Sequence, residues 1–321
     1  MKNRILILGI MGHIGYALSI FLSKKNYKVI GTYNKSKNKK YLKNLNNNNI
    51  KIFKCNLGKK DEIGNILKKN KFDICIYSAA ISHDSVAKKF PESAIDVNCY
   101  GLANILSFQK KYKFNLINIS TGSVFQEIKS SKFKINEFVT PTPKSIYAST
   151  KRIGELLVNN CHAINKKSCN LRISWVYGPP IILKKFNPQR GPIAFILSEL
   201  FFKNKKKLIF KSGKDFEASF TYIEDICMAI TKLINLKKFK YPTYHFGSGE
   251  NYSLTKVINF INDNYKDKKI IAGKGYAPWS NDSIIRGPMI SSQQINFYKP
   301  KTKLLEGIRK YIKFISENKN A

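Results

Sequence analysis

Six short apolar runs rich in β-branched residues alternate with segments of helical period. The runs are RILILG from Arg4, YKVIGTY from Tyr27, IKIFKCN from Ile50, FDICIYSAA from Phe72, FNLINIS from Phe114 and CNLRISWVYG from Cys169. The intervening segments include GYALSIFLSKK and AIDVNCYGLANILSFQKKY, whose apolar residues recur every three to four positions. Strands that are apolar almost throughout are covered on both faces, and strands alternating with helices are joined by right-handed crossovers. The pattern predicts an α/β chain with a doubly wound parallel sheet. At 321 residues it can bury a full core as one large unit or two closely joined ones.

Beyond Gly178 the alternation becomes irregular, with proline-bearing stretches GPP, NPQRGP and YAPWSNDSIIRGP. The expected organisation is a sheet portion over 1–178, to which later segments such as 220–246 return. A smaller C-terminal portion over 179–321 would bind substrate above the carboxyl edge of the sheet. Its expected elements are a helix near Pro192 to Lys203, the strand ASFTYI, a helix from Glu224 to Leu236 and a final helix near Lys301 to Ser316. The run Asn46 to Asn49 reads as a polar turn.

Gly9, Gly12 and Gly15 fall between the first strand and the first helix. Glycines there permit a tight turn, close approach of backbone to a pyrophosphate, and close packing of helix on strand. The helix N-terminus offers unpaired N–H groups to phosphates. Gly9, Gly12, His13, Ile14 and Gly15 are therefore candidate dinucleotide contacts. An NAD site places a carboxylate some twenty residues further on, against the ribose hydroxyls. Here the second strand ends in Thr32, Tyr33, Asn34, Lys35 and Ser36, and the first acidic residue of the chain is Asp61. A ribose 2′-phosphate would be repelled by an acid and held by Lys35, Lys37 and the Ser36 hydroxyl. The expectation is NADP(H) in preference to NAD(H), with Asn34, Lys35 and Ser36 at the ribose.

The formal net charge is +37, from 57 Lys and Arg against 20 Asp and Glu. Only six of the cations are arginine (Arg4, Arg152, Arg172, Arg190, Arg286 and Arg309), and the lysines are spread along the chain. A nucleic-acid groove clusters arginine with aromatic platforms, so no specific nucleic-acid partner is expected. The positive field suits an anionic small molecule. No apolar run approaches the ~20 residues that span a bilayer, and the N-terminus enters a strand directly; a soluble, cytoplasmic protein with no membrane partner is expected. The six cysteines form no CxxC pair and read as small buried thiols, and the four histidines show no metal-ligand spacing, so no metal is expected.

Tyr147 and Lys151, in PKSIYASTKRIGELL, are four residues apart on a helical segment and share one face. An ammonium ~4 Å from a phenolate is worth about 4 kcal/mol at an effective dielectric of ~20, enough to draw a phenol from ~10 toward ~7. Such a tyrosine exchanges protons with a sugar hydroxyl or carbonyl while hydride moves to or from a nicotinamide. Thr121, in STGSVF at the end of a strand, would donate to the same oxygen.

These motifs together resemble an extended short-chain dehydrogenase/reductase, the NAD-dependent epimerase/dehydratase group, over nearly the whole length. The matching stretches are GIMGHIG, IYSAA from Ile76, DVNCYGLANIL with Asn98, ISTGSVF, YASTK, LRISWVYGP, FTYIEDI and YKPKTKLLEGI. The resemblance implies a Rossmann sheet and a catalytic triad of Thr121, Tyr147 and Lys151, with Lys151 also touching the nicotinamide ribose. It places Ala79 and Ala80 beside the cofactor, Asn98 in a supporting position, and Asn56 and Leu57 near the adenine, where many relatives carry an aspartate in place of Asn56. It puts His83, Ser120, Ser123, Arg190 and Arg286 on the substrate side. Many nucleotide-sugar members carry Arg-Asp-Phe where this chain has Ala218, Ser219 and Phe220, so one expected anion clamp is missing. Dehydratases carry Asp-Glu after the active-site threonine; Gly122 and Ser123 stand here, which disfavours dehydration. The implied activity is reduction or epimerisation of a sugar, most naturally nucleotide-linked. The alternatives are a dehydrogenase of a free sugar or sugar acid and a non-catalytic NADP-binding regulatory subunit. The resemblance also implies a homodimer through the helices bearing NCYGLANILSF and YASTKRIGELLV.

Overall fold

A computed structural model describes residues 4–35, 39–48, 50–128, 132–182, 191–280, 287–292, 294–295 and 297–318. The first half runs β1 (Arg4–Leu8), α1 (His13–Lys24), β2 (Lys28–Tyr33), α2 (Lys39–Asn47), β3 (Lys51–Lys54), α3 (Lys60–Lys69), β4 (Ile74–Tyr77), α4 (Asp84–Lys89) and α5 (Pro91–Ile95). A π-helical turn, Asp96–Tyr100, leads into α6 (Gly101–Tyr112) and β5 (Asn115–Thr121). A 3-10 turn, Gly122–Phe125, precedes α7 (Ile146–Asn165), β6 (Ser168–Ile173) and β7 (Trp175–Tyr177). The remainder is α8 (Pro192–Leu197) continuing into a π-helical turn, β8 (Lys207–Phe210), β9 (Glu217–Ala218), β10 (Phe220–Tyr222) and α9 (Ile223–Ile234). It closes with β11 (Thr243–Phe246), β12 (Tyr252–Ser253), α10 (Leu254–Asn264), β13 (Lys269–Ala272) and α11 (Leu304–Glu317).

The predicted doubly wound sheet is present, with seven strands in the order β11-β6-β5-β4-β1-β2-β3. Every pairing within it is parallel. Alternate residues of β1 go to opposite faces. Ile5 and Ile7 pack with Leu18 and Leu22 of α1 and with Ile226 and Ile230 of α9. Leu6 and Leu8 pack with Leu102 and Ile105 of α6 and Val158 of α7. Each fully buried Leu or Ile contributes roughly 1.5–3 kcal/mol of transfer free energy, which explains why β1 and β4 carry apolar residues on both faces. The strand order reverses between β1 and β4, and ligands of such sheets lie beyond the carboxyl ends of the strands at that point.

Two expectations need correction. CNLRISWVYG is two strands, because Ser174 interrupts it: β6 stays in the main sheet and β7 leaves to pair with β10. ASFTYI is likewise split at Ser219, with β9 pairing antiparallel to β12 and β10 parallel to β7. Ser174 joins the two breaks, since its hydroxyl bonds the Ser219 carbonyl and lies 2.9 Å from Thr221 Oγ1. A third pair, β8 with β13, completes the C-terminal region around a core of Phe195, Leu200, Phe260, Ile261 and Ile308. Asp225, buried in α9, ties the approach to α11 by accepting the N–H groups of Lys301 and Thr302 at 3.1 and 2.9 Å. Among the described residues no helix is long and apolar enough to cross a membrane.

Candidate active site

The glycine loop leaves β1 through Gly9, whose φ of +85° a side chain would strain and whose Cβ would lie 2.6 Å from the Ala79 backbone. Gly9 and Ile10 donate to the Thr32 carbonyl at 3.1 and 2.9 Å, which fixes the turn against β2. A Cβ on Gly15 would stand 2.4 Å from the Gly9 carbonyl oxygen, so α1 can approach this closely only with glycine there. Gly12 caps α1 without a side-chain bond, and no acid occupies the helix's first turn. The cradle therefore fits a dinucleotide phosphate: backbone N–H groups, a helix dipole and no competing carboxylate. His13 turns sideways, its Nε2 lying 3.1 Å from the carbonyls of both Gly178 and Pro179, and so ties the loop to the chain leaving β7. Ile14 packs against the core on the α1 and α9 side of the sheet.

Asn34 and Lys35 are exposed just beyond β2; Ser36 and Lys37 lie outside the described residues. The Asn56 side chain is engaged locally, its Oδ1 accepting Gly58 N–H at 3.1 Å, while its backbone N–H donates to Glu62 at 2.7 Å. Leu57 is buried. Ala79 and Ala80, half-buried, follow β4 at the switch point. Asn98, on the π-helical turn and 1% exposed, spends its amide on the protein: Oδ1 accepts Ile81 N–H at 3.0 Å and Nδ2 donates to Ile81 O and Thr150 Oγ1 at 3.2 and 3.0 Å. It pins the chain after β4 to α7.

Thr121, Tyr147 and Lys151 converge on the carboxyl end of β5. Thr121 ends the strand and caps the following 3-10 turn, its Oγ1 accepting Ser123 N–H at 3.1 Å. Ser145 caps α7, placing Tyr147 in the first turn and Lys151 one turn later. Lys151 is buried, and its Nζ donates to Ile119 O at 2.6 Å. The electrostatics run opposite to the sequence expectation. Burial pushes Tyr147 up to about 12, a hydrogen bond from Thr121 partly opposes this, and the Asp84 charge adds to it. Burial likewise draws Lys151 down to about 8, against the raising influence of Glu155 and then Cys99. Burial disfavours the charged form of each group, raising the half-buried phenol and lowering the buried ammonium.

Beneath them lies an ionic cluster that sequence reasoning missed. Glu155, one turn beyond Lys151, is fully buried and accepts from Arg172 Nε and a terminal nitrogen at 2.7 and 2.8 Å, Arg152 at 3.1 Å and Ser120 Oγ at 2.6 Å. Burial would raise its carboxyl, but the bonds and charge of Arg172, then Ser120 and Arg152, hold it below the usual range. Arg172 also reaches Nε2 of the buried His245 at 3.1 Å and stacks on Phe125, 5.0 Å from the ring centre. Ser120 is thus corrected from the substrate side to the core: its hydroxyl is committed to Glu155. Nothing in a run such as NLRIS marks which arginine will be internal. Ser123 stays half-buried beside Thr121, and His83, also half-buried, precedes α4. Arg190 and Arg286, expected over the site, lie outside the described residues.

The model of the NAD dependent epimerase/dehydratase family matches residues 5–247. The chain is 28% identical to an uncharacterised protein of Methanocaldococcus jannaschii, over 99% of this chain and 98% of that one. It is 25% identical to a UDP-glucuronate 4-epimerase of Thermodesulfobacterium geofontis, over 98% and 96%. Its fold is similar to that of a UDP-glucose 4-epimerase of Thermotoga maritima solved with UDP-glucose, with a TM-score of 0.82, 19% identity and coverage of 98% and 99%. A family match across three-quarters of the chain, on a parallel sheet whose glycine loop opens at the switch point, settles the assignment: the chain belongs to the NAD-dependent epimerase/dehydratase family.

Proposed function

We propose that this protein is an NAD(P)-dependent reductase or epimerase of a nucleotide-linked sugar, working through Thr121, Tyr147 and Lys151. The observation that carries the reading is the convergence of these three residues on the end of β5, beside a glycine cradle free of acids. NAD(P), when bound, supplies or accepts the hydride. Tyr147, protonated at neutral pH, donates its proton to a carbonyl oxygen of the sugar, and Thr121 hydrogen-bonds the phenolate that forms. Lys151, near 8, sits one turn away, where it can return positive charge to the spent tyrosine. Epimerisation would run this transfer first in reverse, the Tyr147 phenolate taking the hydroxyl proton as hydride leaves the carbon, and then forward, with hydride returning to the opposite face. Gly122 and Ser123 provide no acid for elimination of water, which speaks against dehydration. The family's UDP-glucuronate and UDP-glucose epimerases support a nucleotide-sugar as substrate; a free sugar acid is the competing class.

A screen of nucleotide-sugars and free sugar acids for coenzyme-linked absorbance change, with the stereochemistry of the product, tests this. Tyr147→Phe should abolish turnover and spare coenzyme affinity; retained turnover would reject the acid-base role. NADP(H) is the proposed coenzyme, supported by exposed Asn34 and Lys35 where an NAD site carries an acid. Tighter binding of NADH than of NADPH would reject that preference. A homodimer is also proposed, on the exposed apolar residues Tyr100 beside α6 and Ile153 and Leu156 on α7. A monomeric mass in sedimentation would exclude it.

A further inference from the structure

Three segments border the candidate site: the chain after β4, the turn after Thr121, and the first turn of α7. All three meet in one polar cluster. Asp84, first residue of α4, accepts Ser145 Oγ–H on Oδ1 at 2.5 Å and Gln126 Nε2–H on Oδ2 at 3.1 Å. Gln126 Oε1 accepts the backbone N–H groups of Lys144 and Ser145 at 2.9 and 2.8 Å. Ser145 Oγ, having given its proton to Asp84, accepts Ala148 N–H at 3.2 Å as the cap of α7. The roles admit one arrangement. The Gln126 oxygen faces two N–H donors and its nitrogen faces a carboxylate, so the amide cannot be reversed without opposing donor to donor.

We propose that Asp84 is a positioning residue for Tyr147: its carboxylate latches the three segments together and sets a negative charge beside the turn of α7 that carries the phenol. This rests on reading Tyr147 as the acid-base group. α7 has no acid in its own first turn, so Asp84, brought from another helix, supplies the negative charge that complements the positive end of α7. The other ionisable groups around this turn are accounted for. Cys99 on the π-helical turn is raised by burial and stays neutral, and Glu155 is spent on Arg172 of β6. Lys151 bonds Ile119 O, while Glu92 on α5 and Lys144 ahead of α7 are exposed and His83 is half-buried. The Asp84 charge adds to burial in holding the proton on Tyr147. It is exposed, so its field is screened by salt while its hydrogen bonds are not.

The test incorporates 3,5-difluorotyrosine at position 147, which brings the phenol into a pH range where the fold is intact and gives one ¹⁹F signal. At low salt the titration midpoint should be lower in Asp84→Asn than in the parent, and the two should converge at high salt. Equal midpoints at low salt would overturn the electrostatic part. Gln126→Met keeps the charge but removes the acceptor for Lys144 and Ser145. It should leave the midpoint in place and speed amide hydrogen exchange at Ser145; unchanged protection there would overturn the latch. Neither readout needs coenzyme or turnover, so a failed latch and a failed enzymatic reading give separate results.

Discussion

Replacing Glu155 with leucine removes the acceptor of four hydrogen bonds and leaves Arg172, 2% exposed, with only a neutral imidazole at 3.1 Å and the Phe125 face at 5.0 Å. Breaking a buried pair from one side costs about 3–5 kcal/mol, because the remaining charge is uncompensated. The two sides are not equivalent. Arg172→Met still leaves Glu155 with Ser120 at 2.6 Å and the partly exposed Arg152 at 3.1 Å. We expect about 5 kcal/mol for Glu155→Leu and about 3 for Arg172→Met. The double variant buries no lone charge and should cost no more than the larger single, a coupling of at least about 3 kcal/mol. Urea unfolding followed by Trp175 and Trp279 fluorescence and by far-ultraviolet circular dichroism measures all three. The folded carboxyl of Glu155 lies below its unfolded value, so its stabilisation is complete above the unfolded value and is lost as pH falls through the folded one. Glu155→Leu should therefore also flatten the acid side of the stability curve. Single costs that add to within about 0.5 kcal/mol in the double variant would refute the view that the two charges depend on each other.

His245 is held at about 3, first by burial and then by the Arg172 charge, so the unfolded chain takes up a proton there below ~6.5 while the folded chain does not. Stability should fall by about 5 kcal/mol as pH drops from ~6.5 to about 3, and His245→Asn should lose that slope; an unchanged slope in urea titrations would reject the assignment. Gly15→Ala would drive a Cβ to 2.4 Å from Gly9 O and 3.0 Å from Ile10 Cα. It should cost about 1–3 kcal/mol by displacing α1 and weaken binding of NADH and NADPH alike, read as the shift in melting temperature each coenzyme produces; shifts equal to the parent's would show that the loop tolerates the change.

Six of the seven strands were legible because β-branched and apolar residues dominate runs bounded by glycine or polar turns; β11, Thr243–Phe246, was not, its short TYHF carrying no β-branched apolar residue. The two misread strands, CNLRISWVYG and ASFTYI, fail for one reason. Ser174 and Ser219 interrupt runs whose composition is uniformly suited to extended backbone, and what separates β6 from β7 is a hydrogen bond between those serines, 45 residues apart. No local pattern encodes a partner at that distance. The glycine loop, by contrast, is a matter of local sterics, since Gly9 and Gly15 each answer to an atom that a side chain would strike.

The Tyr147 and Lys151 pair shows where a spacing argument stops. Four residues on a helix do fix a common face, and both side chains do reach the end of β5. Proximity alone predicts that the cation lowers the phenol, but that holds only if the pair is solvated well enough to remain ionised. Here burial acts on both, raising the phenol to about 12 and lowering the ammonium to about 8. What keeps Lys151 from falling further is Glu155, whose carboxyl is held below the usual range by an arginine on the next strand, 17 residues along the chain. The pair is thus set by two carboxylates: Glu155, one further turn along the same helix, supports the charge on the lysine, and Asp84, brought from another helix, supports the proton on the tyrosine. Burial and the Asp84 charge resist ionisation of the phenol, which under the proposed function favours proton delivery to a carbonyl, the reductive half of that reaction.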